Sequence, residues 1–249
     1  MCDSCGCVLT SEPVSIDGHH GAAPGQRELS ILHGILADNN HAAQHNREHF
    51  NLHNVLAINL MSAPGSGKTA LLEATIDAFA GQYNITVVVG DLATENDANR
   101  LRRHGVQAVQ INTGNTCHLD AAVVHHALHD IALEPIDILF IENVGNLVCP
   151  AAYDLGQHFN VVLLSVVEGD DKPAKYPVMF RSADLVLLTK SDLLPHLPGF
   201  DPSAAEENVR RLANAAPTVL LSVVTGEGMT HWCAQLTTWL AARGKKGTP

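Results

Sequence analysis

Residues 60–69 read Leu-Met-Ser-Ala-Pro-Gly-Ser-Gly-Lys-Thr, a glycine-rich turn between an apolar run and a helical pattern. Backbone N–H groups in such a turn surround a phosphate at the N-terminus of the following helix. We expect the Lys68 ammonium to bridge the β- and γ-phosphates and the Thr69 hydroxyl to ligate Mg²⁺. Ser62 stands where this pattern usually begins with glycine, and a chance glycine-rich turn is the alternative. The stretch predicts a nucleoside triphosphate site formed by Gly65, Ser66, Gly67, Lys68, Thr69 and Ala70.

Short apolar runs alternate with helical patterns along the rest of the chain. Each run is apolar at consecutive positions, which indicates a strand buried on both faces. Such strands are typical of an α/β fold in which helices cover both sides of a mostly parallel sheet. Ligands bind at the carboxyl ends of the strands in these sheets, where the phosphate loop also lies. We predict about seven strands, at residues 55–61, 85–89, 108–111, 136–141, 161–166, 185–188 and 218–222.

Composition divides the chain into three parts. Residues 1–26 mix Cys, Ser, Gly, Pro and His with little apolar periodicity, so we expect a flexible metal-binding arm. Residues 27–53 follow a helical pattern, and residues 54–249 hold the predicted P-loop domain. A chain of 249 residues that is 46% hydrophobic has enough apolar material for one such domain and an appendage.

The charge balance limits the choice of partners. A formal net charge of -11 argues against nucleic acid and against an acidic membrane surface, because both would repel the chain. No apolar run approaches the ~20 residues of a membrane span, and no basic segment followed by an apolar one begins the sequence. We therefore expect a cytoplasmic location, where the six cysteines stay reduced and clustered ones favour metal ligation over disulfides.

A second nucleotide motif follows the sixth predicted strand. Residues 189–192 read Thr-Lys-Ser-Asp, the form of the guanine-recognition motif of GTPases. In that motif the Asp192 carboxylate accepts from the guanine N1–H and amine, while the Lys190 stem packs on the base. Thr189 stands where Asn is usual, so a carboxamide partner for the base and the phosphate loop is lost. A solvated aspartate at a helix start is the alternative, and the next strand end offers two more candidate GTP contacts, Ser222 and Val223.

Acidic residues at two other strand ends complete the predicted phosphate chemistry. Asp91 and Glu142 each follow an apolar run, and either carboxylate can hold Mg²⁺ directly or through water. Glu142 and Gly145 also have the spacing of an Asp-x-x-Gly switch, in which the glycine N–H senses the γ-phosphate. A helix cap is the alternative role for each acid. We predict Thr69, Asp91 and Glu142 as magnesium ligands and a catalytic set of Lys68, Thr69, Asp91, Glu142 and Gly145.

Three thiols lie within six residues near the start of the chain, at Cys2, Cys5 and Cys7. Three thiolates reach one soft or borderline cation, and the terminal amine, His19 or His20 is a candidate fourth ligand. A square-planar sulfur-and-nitrogen set suits Ni²⁺, whereas a tetrahedral one suits Zn²⁺. A redox Cys-x-x-Cys pair and a chance cluster are the alternatives.

A separate candidate metal site comes from Cys117, His118 and Cys149. Cys149 lies four residues past Gly145, and both parts of the set emerge at the predicted nucleotide edge of the sheet. Two thiolates and one imidazole are an incomplete shell, which water or ligands from a second subunit can close. A structural role is the alternative for each residue, and Cys233 is interpreted as core.

Four further histidines recur every four residues, so on a continuous helix they lie along one face. Weak metal binding is one interpretation of this face. A polar helix face in a chain with 15 histidines is the interpretation that we favour for His41, His45, His49 and His53.

Taken together, these motifs closely resemble those of the hydrogenase nickel-incorporation GTPases, the HypB family. The resemblance spans nearly the whole chain and rests on residues 2–7, 59–69, 90–91, 112–120, 142–150 and 171–177. It implies a metal-handling GTPase that dimerises with nucleotide and is related to the urease accessory GTPase. It also implies a nickel site at Cys2, Cys5 and Cys7 and a nickel or zinc site at Cys117, His118 and Cys149. The implied partners are a small zinc-binding hydrogenase accessory protein and a hydrogenase large-subunit precursor.

The sequence thus favours a GTP-hydrolysing metallochaperone that delivers Ni²⁺ to a [NiFe]-hydrogenase precursor. We expect slow intrinsic hydrolysis, because no Gln or Arg finger is identifiable to orient water and neutralise charge. One rival is a nickel-storage or buffering protein with little GTP turnover, although a long polyhistidine tract is missing. A urease-type nickel-insertion GTPase and a small-molecule kinase on the same fold are the others.

Overall fold

A computed structural model of the chain describes residues 24–91, 95–114, 116–212 and 214–244, without the side chains of residues 24–33, 35 and 91. The predicted arm and its ligands Cys2, Cys5 and Cys7 therefore lie outside the described residues, as do His19 and His20. The described residues from Asn39 onward form one compact unit, which contains the whole sheet. Within the described residues, no helix has both the length and the apolar content that crossing a bilayer requires.

Seven parallel strands form a single sheet in the order β3-β2-β4-β1-β5-β6-β7. The predicted fold class is confirmed, and every predicted strand is present within one or two residues. Continuous apolar runs made these strands recognisable, because both faces of the sheet are covered. The strands are β1 (Leu56–Ser62), β2 (Ile85–Asp91), β3 (Gln107–Asn112), β4 (Ile138–Glu142), β5 (Phe159–Ser165), β6 (Leu185–Thr189) and β7 (Thr218–Leu221).

Eight helices are described between and around the strands. The first extends over the predicted helical segment and ends just before β1. Short 3₁₀ turns follow β4 and β6, at Cys149–Ala152 and Ser191–His196. The helices are α1 (Pro24–Leu52), α2 (Lys68–Ala78), α3 (Asn96–Arg102), α4 (Ala121–Leu128), α5 (Lys172–Lys175), α6 (Pro177–Arg181), α7 (Pro202–Arg211) and α8 (Met229–Ala242).

Alternate residues of each strand pack into different cores. Leu56, Ile58 and Leu60 of β1 face the core formed with α2, α3 and α8, where Trp232 is fully buried. Ala57 faces the opposite core, which contains residues from the end of α1 and from α4. A third core packs β5 and β6 against α6 and α7. Helices on both faces leave the carboxyl edge of the strands open for the site.

Candidate functional site

The phosphate loop lies between β1 and α2, as predicted. Gly65 and Gly67 have φ values of 77° and 98°, a left-handed conformation that glycine adopts readily. The loop lines a cavity of about 450 Å³, which also reaches Glu142 and Gly145. Lys68 Nζ donates to Ser62 Oγ at 3.0 Å, so the serine at the unusual position contacts the lysine predicted to bind phosphate.

A buried acid sits against the end of the phosphate loop. Thr69 Oγ1 donates to Glu142 Oε1 at 2.8 Å. Burial raises the pKa of Glu142 to about 7, although Lys68 and the Thr69 hydroxyl act in the opposite direction. No hydrogen-bond partner among the described residues reaches the buried Glu142 Oε2. An orphaned carboxylate oxygen beside a threonine hydroxyl fits a Mg²⁺ ion, whose charge would offset that burial.

The two other residues of the predicted phosphate chemistry lie on this edge as well. Asp91 ends β2, next to β4, but its side chain lies outside the described residues. Gly145 packs on the phosphate loop so closely that a Cβ there would lie 2.9 Å from Pro64 Cα. Only glycine fits this approach, because a side chain at position 145 would clash with Pro64.

The predicted base motif lines an adjoining cavity of about 340 Å³. Ser222 Oγ donates to Asp192 Oδ1 at 2.5 Å and accepts from the backbone N–H groups of Val224 and Thr225. Leu221 and Val223 add apolar surface to the same cavity. The carboxylate is therefore held at the rim of a largely apolar slot, an arrangement suited to a purine with two N–H donors. Gly67, Ala70 and Lys190 line both cavities, which makes the two cavities neighbours.

The expected effect of Thr189 is corrected in part, for the phosphate loop alone. The sequence predicted that threonine loses a carboxamide partner for both the base and the phosphate loop. Instead, Thr189 Oγ1 donates to the backbone carbonyl of Ser66 at 2.7 Å, and both residues are buried. The hydroxyl reaches the loop because β6 ends directly beside it, so the link between the base and phosphate motifs is kept.

Cys117, His118 and Cys149 come together in the structure. Their three ligand atoms lie within 4.8 Å of one another, and the two Sγ atoms are 3.1 Å apart. His118 stacks on Tyr153 with 4.0 Å between the ring centroids. Burial lowers the pKa of His118, whereas the hydrogen bond with Cys117 and then burial raise the pKa of Cys149. Two thiols and an imidazole suit a borderline divalent ion and leave a fourth position open.

Three residues that sequence reasoning missed connect or line these sites. Asn143 Oδ1 accepts from the backbone N–H of Leu119 at 3.3 Å and of Val144 at 2.9 Å. Glu168 Oε1 accepts from Ser66 Oγ of the phosphate loop at 2.6 Å. Arg100, which lines the phosphate cavity, is held by both carboxylate oxygens of a neighbouring acid on α2. Asn143 lies in residues 142–150 of the family resemblance, but no role was predicted for any of the three, because the contacts of Asn143 with Leu119, of Glu168 with Ser66 and of Arg100 with α2 join segments that are distant in sequence.

The remaining candidates have different surroundings. Cys233 is half-buried against the main core, beside Trp232. His45 and His49 of α1 contact each other and also His125 of α4, a histidine that the sequence had not grouped with them. Burial and then the neighbouring imidazoles lower the pKa of His125 to about 4.

The fold and the site define a P-loop nucleotide-binding domain of the GTPase type. The family model "CobW/HypB/UreG, nucleotide-binding domain" matches residues 56–220. The chain belongs to the HypB family of hydrogenase maturation factors. It is 50% identical to HypB of Rhizobium leguminosarum bv. viciae over 218 residues, which are 88% of this chain and 73% of that protein.

Two further relatives support this assignment. HypB of Escherichia coli K12 is 45% identical over 222 residues, covering 89% of this chain and 76% of the relative. A crystal structure of Helicobacter pylori HypB in complex with nickel superposes with a TM-score of 0.79 at 41% identity. That match covers 85% of this chain and 99% of the other.

Proposed function

We propose that this protein is a GTP-hydrolysing metallochaperone that delivers Ni²⁺ to a [NiFe]-hydrogenase precursor. The relatives named hydrogenase maturation factors and the nickel complex of the Helicobacter pylori relative support this role. The clustered thiols and imidazole of Cys117, His118 and Cys149 supply donors for the cargo ion. The predicted arm site at Cys2, Cys5 and Cys7 supplies a second set.

GTP is the proposed nucleotide. In this proposal Asp192, held by Ser222, accepts from the guanine N–H groups, and Lys190, which lines the same cavity, covers the base with its stem. Lys68 and the loop N–H groups bind the phosphates, while Thr69, Asp91 and Glu142 are the proposed residues for Mg²⁺. When bound, Mg²⁺ neutralises charge on the β- and γ-phosphates.

One continuous segment carries the proposed coupling between nucleotide and cargo. Glu142 bonds to Thr69 in the phosphate loop, and the next residue, Asn143, bonds to Leu119, which directly follows His118. Further along the same segment, Asn146 Oδ1 accepts from the backbone N–H of Cys149 at 3.4 Å. Residues 142–149 therefore touch the phosphate site at one end and the thiol cluster at the other. This connection is the observation that supports a nucleotide-driven switch best.

In the proposed cycle, the Gly145 backbone moves relative to Pro64 when the γ-phosphate is bound or lost. Cys149 then shifts with respect to Cys117 and His118, and the geometry around the cargo ion changes. Because intrinsic hydrolysis is slow, the rate of GTP hydrolysis sets how long the protein stays in the GTP-bound state.

The proposed partners are a second copy of the chain, bound in a nucleotide-dependent homodimer, a zinc-binding accessory protein and the hydrogenase large-subunit precursor. The proposed location is the cytoplasm.

The name of one relative supports a second enzyme as the recipient of nickel. A protein from Helicobacter hepaticus, 45% identical over 201 residues, is named a hydrogenase/urease maturation factor. Nickel insertion into urease is therefore the alternative delivery function. Storage with little GTP turnover is the other alternative, and the intact phosphate loop disfavours it.

Reconstituted nickel transfer tests the proposal. The nickel-loaded protein is mixed with hydrogenase precursor and the accessory protein in GTP, GDP or a non-hydrolysable GTP analogue, and incorporated nickel is counted. We expect transfer with GTP to exceed transfer with the other two nucleotides. Lys68→Ala should abolish this advantage and GTP hydrolysis, because the ammonium that neutralises phosphate charge is lost. Equal transfer by the parent and the Lys68→Ala protein would reject GTP-driven delivery.

A further inference from the structure

Two pairs of histidines meet at the contact between α1 and α4. His45 and His49 are four residues apart on α1, with imidazole centroids 4.5 Å apart. His125 and His129 are four residues apart at the end of α4, with centroids 5.0 Å apart. Between the helices, the His125 ring lies 4.8 Å from that of His45 and 5.8 Å from that of His49. We call these four residues the histidine cluster.

The ring spacing of His45, His49 and His125 is close to that around a single metal ion, and His129 adds a fourth imidazole beside His125. Ligation would bring their ligand nitrogens closer together than they are here. With metal–nitrogen bonds of about 2.0–2.1 Å, imidazoles around a tetrahedral ion have ring centroids roughly 5 Å apart. Pairs of ligands projecting from facing helices are a common way to build such a site. The His45 ring meets that of His125 at 72°, so ligation requires rotation of the α1 imidazoles about χ2, whereas His125 keeps its bond to Asn46. All four rings are half-buried or exposed, which leaves room for that rotation.

A buried amide orients His125 for ligation. Its Nδ1 lies 3.0 Å from Oδ1 of Asn46, a fully buried residue. Asn46 Nδ2 donates to the carbonyl oxygens of Ala121 and Leu155, at 2.9 and 3.1 Å, and this fixes which way the amide points. Because Oδ1 only accepts, Nδ1 of His125 carries the proton and Nε2 keeps the lone pair. Metal-binding histidines are commonly held by such a bond to the second ring nitrogen.

We propose that His45, His49, His125 and His129 bind one divalent ion of borderline softness, Ni²⁺ or Zn²⁺, independently of the thiol cluster. Imidazole nitrogen is a suitable ligand for both ions. The thiol cluster lies at the other end of α4, because His118 precedes the first turn and His125 lies in the last, about 6 Å along the helix from its start. This site requires neither nucleotide nor a hydrogenase precursor, so it stands apart from the proposed delivery cycle.

The test uses the full chain with all five proposed thiol ligands replaced by serine. Ni²⁺ and Zn²⁺ are titrated separately against a chromophoric chelator, and bound metal is counted after dialysis. We expect one ion per chain at micromolar affinity. In the same background, His45→Gln with His49→Gln should weaken binding at least tenfold. The matched control, His196→Gln with His231→Gln, replaces two exposed histidines outside the cluster and should bind like its parent.

A second variant keeps the test valid if the double substitution on α1 unfolds the protein. His129 is exposed at the C-cap of α4, so His129→Gln removes an imidazole without touching the core. It should weaken binding severalfold and reduce the rise in the thermal unfolding midpoint caused by Zn²⁺. The proposal is overturned if the cluster variants bind as tightly as the control, or if the serine-substituted chain binds no ion at micromolar concentrations.

Discussion

Thr69 Oγ1 donates a 2.8 Å hydrogen bond to Glu142 Oε1, joining the end of the phosphate loop to the carboxyl end of β4. Glu142 is only 4% exposed, and the second oxygen of its carboxylate is left without a hydrogen bond among the described residues. A buried acid of this kind is costly unless a cation or a proton joins it. The positions of the Thr69 hydroxyl and the Glu142 carboxylate therefore indicate where the proposed magnesium ion would bind.

Replacing that acid should separate nucleotide binding from hydrolysis. In Glu142→Gln the Thr69 hydroxyl keeps an acceptor, but the charge facing Mg²⁺ is lost. We expect GTP hydrolysis to fall at least tenfold, since charge stabilisation of this kind contributes several kcal/mol. Phosphate release measured over a magnesium titration checks this, with exposed Glu207→Gln as the matched control. A parent-like rate and magnesium dependence would remove Glu142 from the site.

Asp192 should determine the choice of base. In Asp192→Asn the amide offers a donor where guanine also offers one, so GTP binding should weaken by about tenfold or more. Xanthine nucleotides present an acceptor at that position, so they should bind the variant more tightly than they bind the parent. Competition binding with GTP, XTP and ATP measures the ratios. Unchanged guanine selectivity in the variant, or a parent that already prefers ATP, would contradict the assignment.

Thr189 should influence affinity without influencing base choice. Thr189→Val removes the hydroxyl that bonds to the Ser66 carbonyl, and a buried unpaired acceptor costs roughly 1–2 kcal/mol. GTP and GDP should therefore both bind about tenfold more weakly, whereas Thr189→Ser, which keeps the hydroxyl, should bind nearly as tightly as the parent. Calorimetric titration of each variant decides this. Equal binding by the valine and serine variants would show that the contact is dispensable.

His158 should make the fold sensitive to mild acid. Burial, followed by the charges of Arg243 and Arg47, lowers the pKa of His158 to about 4, and its Nδ1 accepts from the Ala57 N–H at 3.0 Å. Above pH 6.5 the ring is neutral in both folded and unfolded chains. Between pH 6.5 and about 4 only the unfolded chain takes up the proton, so stability falls as the pH falls.

His158→Asn removes this titration and keeps an acceptor for the Ala57 N–H. Its unfolding midpoint in urea should therefore decrease less between pH 7 and pH 5 than that of the parent. Exposed His196→Asn serves as the control and should follow the parent. Identical pH profiles for the His158 variant and the parent would contradict the account.

Much of the fold was predictable because burial leaves a local signature. A strand covered on both faces is apolar at consecutive positions, as in β4 and β6, and the phosphate loop has a fixed order of glycines and a lysine. The base motif was also readable, since Lys190 and Asp192 are neighbours in sequence. These features depend on few long-range contacts.

Other parts of the site depend on contacts across the fold, which no local pattern encodes. Asn143 lies within a motif of the family resemblance, but its role does not follow from that motif, because its Oδ1 accepts from the N–H of Leu119, 24 residues away. The Thr189 hydroxyl compensates for the missing asparagine only because β6 ends beside Ser66. His45 and His49 were visible as a helix face, whereas their partner His125 appeared only when α4 packed against α1.

Nucleotide state should change the metal site at Cys117, His118 and Cys149. The most direct test is the affinity of that site for Ni²⁺, measured with a chromophoric chelator in GDP and in a non-hydrolysable GTP analogue. The protein used carries serine at Cys2, Cys5 and Cys7, so that Ni²⁺ bound by the arm does not contribute to the measured affinity. We predict affinities that differ by ~1–3 kcal/mol, with Ni²⁺ shifting the ratio of nucleotide affinities by the same factor. Cys149→Ala should erase the difference and leave nucleotide binding intact, whereas equal Ni²⁺ affinities in the two nucleotide states would contradict the switch.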